Sequence, residues 1–131
     1  MILKGDEARD YIKATMKHFS PEEFQCRCGC GSLVVDLILL KRLDLLRARV
    51  GEPLRITSGY RCPAHNKAVG GKSTSEHVDG QGVDIAAPSS ALKMKIVREA
   101  LPLGFNRVGI GQDFVHLGVS DTLPKHVLWT Y

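Results

Sequence analysis

The sequence predicts an α+β domain, a small antiparallel sheet packed with helices. Two patterns carry that reading. Short alternating runs, Leu54–Ser58, Gly82–Ala86, Arg107–Gly111 and Phe114–Val119, read as strands, and the last two close a tight hairpin around Gln112. Helix-period stretches lie among them, over residues 33–49 and from Pro88-Ser89-Ser90 to about Leu101. At 131 residues the chain has room for one domain with a real core.

Each element has a local reason. Residues 6–17 read as a short helix capped by Asp6, with Ala8, Tyr11, Ile12 and Met16 on one side. Ser20-Pro21-Glu22-Glu23 is a helix start: a capping serine, proline at the first position and an acid at the third. Residues 33–49 make the strongest helix. Leu33, Leu37 and Leu40 share a line, and Val34, Ile38, Leu39, Leu43, Leu46 and Val50 broaden it; Gly51 stops the helix and Pro53 follows. Leu54–Ser58 ends in Gly59-Tyr60-Arg61-Cys62-Pro63, which leaves Arg61 at the strand's carboxyl end. Ala64 to Thr74 reads as a polar surface loop with room for one helical turn, and Val127–Tyr131 as a last edge strand.

Composition narrows the function classes. The net charge of +4 fits an anionic partner such as a wall polymer. Lysine and arginine are scattered without aromatic interleaving, so nucleic acid is not the expected partner. No apolar run is long enough to span a bilayer, and the N-terminal residues do not form a secretory signal. The expectation is a monomer made in the cytoplasm.

The chemistry centres on Ser75-Glu76-His77-Val78-Asp79-Gly80-Gln81-Gly82-Val83-Asp84, which reads S-x-H-x-x-G-x-G-x-D. His77 enters from a loop and Asp84 from the strand that follows. Imidazole and carboxylate together suit zinc, which needs a third protein ligand. His116 is the candidate. In strand 114–119 it lies opposite Val115 and Leu117, as Asp84 lies opposite Val83 and Ile85. Paired side by side, the two strands bury their aliphatic residues and show Asp84 and His116 together. His65 lies near the site in sequence and is a candidate for lining the cleft.

Cys26-Arg27-Cys28-Gly29-Cys30 places three thiols on alternate residues, and Cys62 is the fourth cysteine. Plain reduced thiols are the leading reading. A structural metal and a disulfide to Cys62 are the lesser alternatives, because the spacing is not the usual C-x2-C and cytoplasmic synthesis disfavours a bond.

Taken jointly, Ser58-Gly59-Tyr60-Arg61, the stretch Ser75 to Asp84, and Asp113-x-x-His116 resemble the motifs of the zinc D-alanyl-D-alanine carboxypeptidases, peptidase family M15. The resemblance covers about residues 19–120 and is to the short phage and prophage type. It implies a fold like that of the DD-peptidases and the Hedgehog signalling domain. It implies hydrolysis of a peptide bond in the peptidoglycan stem, by a D,D-carboxypeptidase or an L-alanyl-D-glutamate endopeptidase, acting on the wall after release or within a phage particle. A zinc-holding binding module and a phage structural component are the alternatives. By resemblance His77, Asp84 and His116 are the ligands, Asp113 is the catalytic acid, Arg61 holds substrate or oxyanion, and Ser75 lies beside the ligand loop at the substrate. The chain departs from the pattern twice. Gly82 replaces a common alanine, read as harmless. Gly118 stands where many short relatives carry an acid, two residues after the last ligand, which removes the carboxylate expected to support His116.

Overall fold

The computed structural model describes residues 1–131. Seven strands and five helices follow in the order β1 (Ile2–Lys4), α1 (Gly5–Thr15), α2 (Pro21–Phe24), β2 (Val34–Asp36), α3 (Leu37–Val50), β3 (Ile56–Ser58), α4 (Pro63–Ala68), β4 (Gly82–Ala86), α5 (Ser90–Ala100), β5 (Arg107–Ile110), β6 (Phe114–Gly118) and β7 (Val127–Thr130). A single 3-10 turn, Leu101–Leu103, follows α5. β1 and β2 form a small antiparallel ribbon, and the other strands form a sheet in the order β3-β4-β6-β5-β7. The fold is α+β, and the antiparallel sheet of the sequence reading is extended by one parallel pairing, β5 with β7.

Register decides the site. β4 and β6 pair antiparallel with Asp84 opposite His116, flanked by Val83 opposite Leu117 and Ile85 opposite Val115. One face of the sheet carries Val83, Ile85, Val115 and Leu117, all fully buried. They join Leu39, Leu40, Leu43 and Leu46 of α3 and Ile96 and Ala100 of α5 in one core. The opposite face carries Asp84 and His116.

Local capping explains most boundaries. Ser20 and Glu23 form a reciprocal capping box at α2, with Pro21 at its first turn. The Ser89 hydroxyl accepts from Leu92 N and starts α5. Gly51, at φ 74°, ends α3 as expected. Two readings change. The strongest helix begins at Leu37, not at residue 33, because the Asp36 carboxylate accepts from Ile38 N at 2.9 Å and caps it. Val34–Asp36 is instead extended and pairs with β1, so Leu33 and Val35 reach the core from an extended segment. Asp6 does not cap α1: Lys4 occupies that position and makes no side-chain cap bond, while Asp6 lies in the first turn. No helix is long and apolar enough to cross a membrane.

Candidate metal centre

The three expected ligands converge. One ligand atom from each of His77, Asp84 and His116 lies within 4.8 Å of the other two, and all three residues are buried. Asp84 Oδ1 is 3.2 Å from His77 Nε2 and 2.8 Å from His116 Nδ1. Zinc with nitrogen and oxygen bonds near 2.05 Å in a tetrahedron spaces its ligand atoms about 3.3 Å apart. The set therefore has the spread that zinc needs.

The outer ring nitrogens supply a second fit. His77 Nδ1 lies 2.7 Å from the Gly59 carbonyl, which only accepts, so Nδ1 carries the proton and Nε2 keeps its lone pair for the cluster. His116 Nε2 lies 2.5 Å from Glu76 Oε1, so a proton there leaves Nδ1 facing the cluster with its lone pair. Both imidazoles are thus held in the tautomer that presents a donor atom inward, as metal-bound histidines are. In the metal-free chain a proton on an inner ring nitrogen is donated to Asp84 instead. Burial by itself would raise the Asp84 pKa, but hydrogen bonds from His116 and His77 made in that form outweigh it and hold the carboxyl well below its usual range. Burial would lower His116, but its bonds to Asp84 and Glu76 win and raise it.

The ligand loop is anchored at several points. His77 N donates to the Ser75 hydroxyl at 3.2 Å, and the His77 carbonyl accepts from Arg61 N at 3.1 Å. Farther along, Gln81 Nε2 donates to Asp36 Oδ2 at 3.0 Å, and the Gly80 carbonyl accepts from Asp36 N at 2.8 Å. The β2 residue that caps α3 therefore also fixes the turn between His77 and Asp84.

Glu76 is the residue that sequence reasoning passed over. It is 2% exposed. Besides His116, its Oε1 accepts from Arg107 Nε at 3.2 Å, and its Oε2 accepts from Ser120 N at 3.2 Å. It reaches His116 because two side chains are missing. A Cβ on Gly118 would overlap the Glu76 carboxylate, and one on Gly82 would come within 2.5 Å of Glu76 Cγ and 2.8 Å of His116 Cε1. Gly82 is therefore not a harmless replacement for alanine; it makes the space that Glu76 occupies. The acid missing at position 118 is supplied from the loop. The available signal was an acid inside S-x-H in a chain with glycine at both 82 and 118.

Arg61 comes to the site. Its Nη2 is 3.7 Å from Asp84 Oδ2, while Nε donates to the Ser58 hydroxyl at 3.3 Å and Nη1 to Asn66 Oδ1 at 3.2 Å. Asn66, buried on α4, was also missed. Its amide donates to the Lys72 carbonyl at 2.8 Å, so it ties Arg61 to the following loop. Ser75 is half-buried and its hydroxyl is engaged by the His77 backbone. His65 is half-buried on α4; its N–H donates to Cys62 Sγ and its ring makes no hydrogen bond within the chain. Asp113 is exposed in the turn between β5 and β6, outside the ligand cluster. Its carbonyl accepts from Ala87 N, and its carboxylate has no partner.

Aromatic rings flank the cluster. The Trp129 ring on β7 lies 5.5 Å from that of His116, with Tyr131 6.3 Å farther on and Phe114 against Tyr131 at 4.9 Å. Arg107 sits over Trp129 at 5.1 Å. The last strand thus contributes a wall to the site.

A family model described as Peptidase M15 matches residues 17–118, most of the chain. A comparison with curated proteins finds no match.

Proposed function

The chain belongs to peptidase family M15, and from that premise we propose that it is a zinc peptidase that hydrolyses a peptide bond of the bacterial peptidoglycan stem. The observation that carries this is the His77–Asp84–His116 cluster, whose histidines already have their outer N–H groups held by Gly59 and Glu76. Those three residues would hold the ion, which when bound lowers the pKa of water to about 7 and polarises a scissile carbonyl.

The other residues divide the remaining work. Arg61, fixed by Ser58 and Asn66, presents its guanidinium beside the cluster. It would pair with a carboxylate of the stem, either a terminal D-Ala or a side-chain acid, because a planar fork matches a carboxylate better than an ammonium does. Glu76 keeps the proton on His116 Nε2. Trp129 and Tyr131 form one wall of the substrate groove. Asp113, three residues before His116 and with a carboxylate free of any partner, would take a proton from the attacking water on a side-chain oxygen and return it to the leaving amine.

The test is product identity. The protein is incubated with zinc and purified stem pentapeptides ending in D-Ala-D-Ala, and the products are weighed by mass spectrometry. Loss of one alanine marks a carboxypeptidase, and a cut after L-Ala marks an endopeptidase. No cleavage of either kind would refute the proposal. One observation favours a second reading, a zinc-holding module without hydrolysis: Asp113 is exposed in the β5–β6 turn, and nothing in the chain orients its carboxylate. That module would bind zinc and leave every stem peptide intact.

A further inference from the structure

Three cysteines of one turn and a fourth distant in sequence meet where the turn after α2 crosses the loop from β3 to α4. Cys26, Cys28 and Cys30 come from the turn, and Cys62 sits at the N-cap of α4. Their four sulfurs all lie within 4.8 Å of one another. Cys26 Sγ is 3.5 Å from Cys28 Sγ, which is 3.7 Å from Cys62 Sγ. Zinc with Zn–S bonds near 2.3 Å in a tetrahedron separates its sulfurs by about 3.8 Å. A disulfide engages two sulfurs, and none is formed here. Mutual proximity of all four is what a tetrahedral ion requires and what paired thiols do not.

The surroundings agree. The Cys62 amide points at Cys26 Sγ and the His65 amide at Cys62 Sγ, each at 3.4 Å. Backbone N–H donors of this kind favour thiolate over thiol. The loop is closed by Cys26 N donating to the Ser32 carbonyl at 2.9 Å. Cys26 is buried and Cys62 half-buried, while Cys28 and Cys30 face solvent, so the cluster has a fixed floor and an open side for an ion to enter.

We propose that Cys26, Cys28, Cys30 and Cys62 bind a second, structural zinc ion through four thiolates, with no position left for substrate. On binding, the thiol protons pass to solvent and no electron is transferred. The ion clamps the cysteine turn to the segment Gly59–Cys62. That segment carries the carbonyl that orients His77 and the guanidinium facing Asp84, so the clamp steadies the proposed active site from behind. The proposal stands whether or not the chain is a peptidase, because its test reads metal and sulfur alone.

The full chain is purified under reducing conditions, and its zinc is replaced by cobalt. The expected spectrum contains the intense thiolate-to-cobalt charge-transfer absorption, retained in His116→Ala and lost in the double variant Cys28→Ser, Cys30→Ser. The parent protein should hold one more zinc per chain than that double variant. If the double variant fails to fold, the parent spectrum decides alone. A cobalt-loaded parent without the charge-transfer band, or a parent whose four thiols react with a thiol reagent equally fast with and without zinc, overturns the proposal.

Discussion

Replacing Glu76 by Gln changes one atom and reverses the polarity of half the group. Glu76 meets donors on both sides: His116 Nε2 and Arg107 Nε at one oxygen, and Ser120 N at the other. A carboxamide has one acceptor oxygen and one donor nitrogen. If its oxygen turns to His116 and Arg107, its NH2 confronts the Ser120 N–H. A buried donor then lacks an acceptor, at about 1–3 kcal/mol of stability. If its oxygen turns to Ser120, its NH2 confronts His116 Nε2. The imidazole must then move its proton to Nδ1, the atom that faces Asp84, and loses its inward lone pair. Arg107 is not orphaned either way, since it keeps the Pro124 carbonyl and the Trp129 face. The first orientation is therefore favoured. It keeps the His116 bond but exchanges a charged acceptor for a neutral one, which weakens the imidazole as a ligand. Zinc affinity should therefore fall by about tenfold, or about 1.4 kcal/mol, the lower end of the range for altered outer-shell partners. Competition with a chromophoric chelator measures the affinity, and urea melts of the metal-free protein measure the stability. Rescue adds a sharper demand. Glu76→Ala with Gly118→Asp moves the acid back onto β6 and should recover most of the affinity. Gly118→Asp alone should be severely destabilised, because its side chain overlaps Glu76. A Glu76→Gln protein with parental zinc affinity, or a well-folded Gly118→Asp protein with Glu76 in place, would refute the reasoning.

Four further outcomes follow. Asp113→Asn should keep the metal while losing about a hundredfold to ten-thousandfold in cleavage rate, the range of acid–base catalysis. A near-parental rate would return Asp113 to a turn role, which asparagine fills equally well. Arg61→Lys should lose about tenfold or more in kcat/KM, mostly through KM, because lysine has no fork to span Ser58, Asn66 and a substrate carboxylate; an unchanged KM would remove Arg61 from substrate binding. In metal-free protein His116 is raised, so its contribution is full below the free-imidazole value of about 6.5 and is lost as pH rises through the folded value. Thermal melts of chelated protein should therefore weaken on the alkaline side, and a stability that rises there would contradict the assignment. Asp84 has the opposite sign: its contribution is present above about 3.9 and disappears only as pH falls through its depressed folded value. Leu43→Ala, at a fully buried position of α3, should cost about 2–5 kcal/mol in denaturant melts, and a loss under about 1 kcal/mol would mean that the core collapses around the gap.

The convergence of Asp84 and His116 was legible because strand parity is a local rule. Asp84 and His116 each alternate with aliphatic residues, so burying Val83, Ile85, Val115 and Leu117 turned both to the opposite face. The α2 capping box and the α5 start were legible for the same reason: their partners lie within three residues. What escaped depends on contacts across the chain. Glu76 matters through His116, Arg107 and Ser120, all more than 30 residues away, and only Gly82 and Gly118 hinted at the space it fills. Asn66 looked like loop composition until α4 placed it beneath Arg61. β2 was hidden because Leu33 and Val35 continue an apolar pattern that Asp36 interrupts by capping. The parallel pairing that brings Trp129 beside His116 has no local signature in Val127–Tyr131.

The central claim is that His77, Asp84 and His116 hold the zinc on which peptide cleavage depends. The direct measurement strips the protein with a chelator, returns zinc in steps and follows stem-peptide hydrolysis at each step, for the parent and for His116→Ala. The account predicts that stripped parent is inactive, that zinc restores its rate to a plateau, and that His116→Ala stays inactive at every zinc level. Hydrolysis that survives complete stripping, or a His116→Ala protein that zinc restores to the parental plateau, would contradict it.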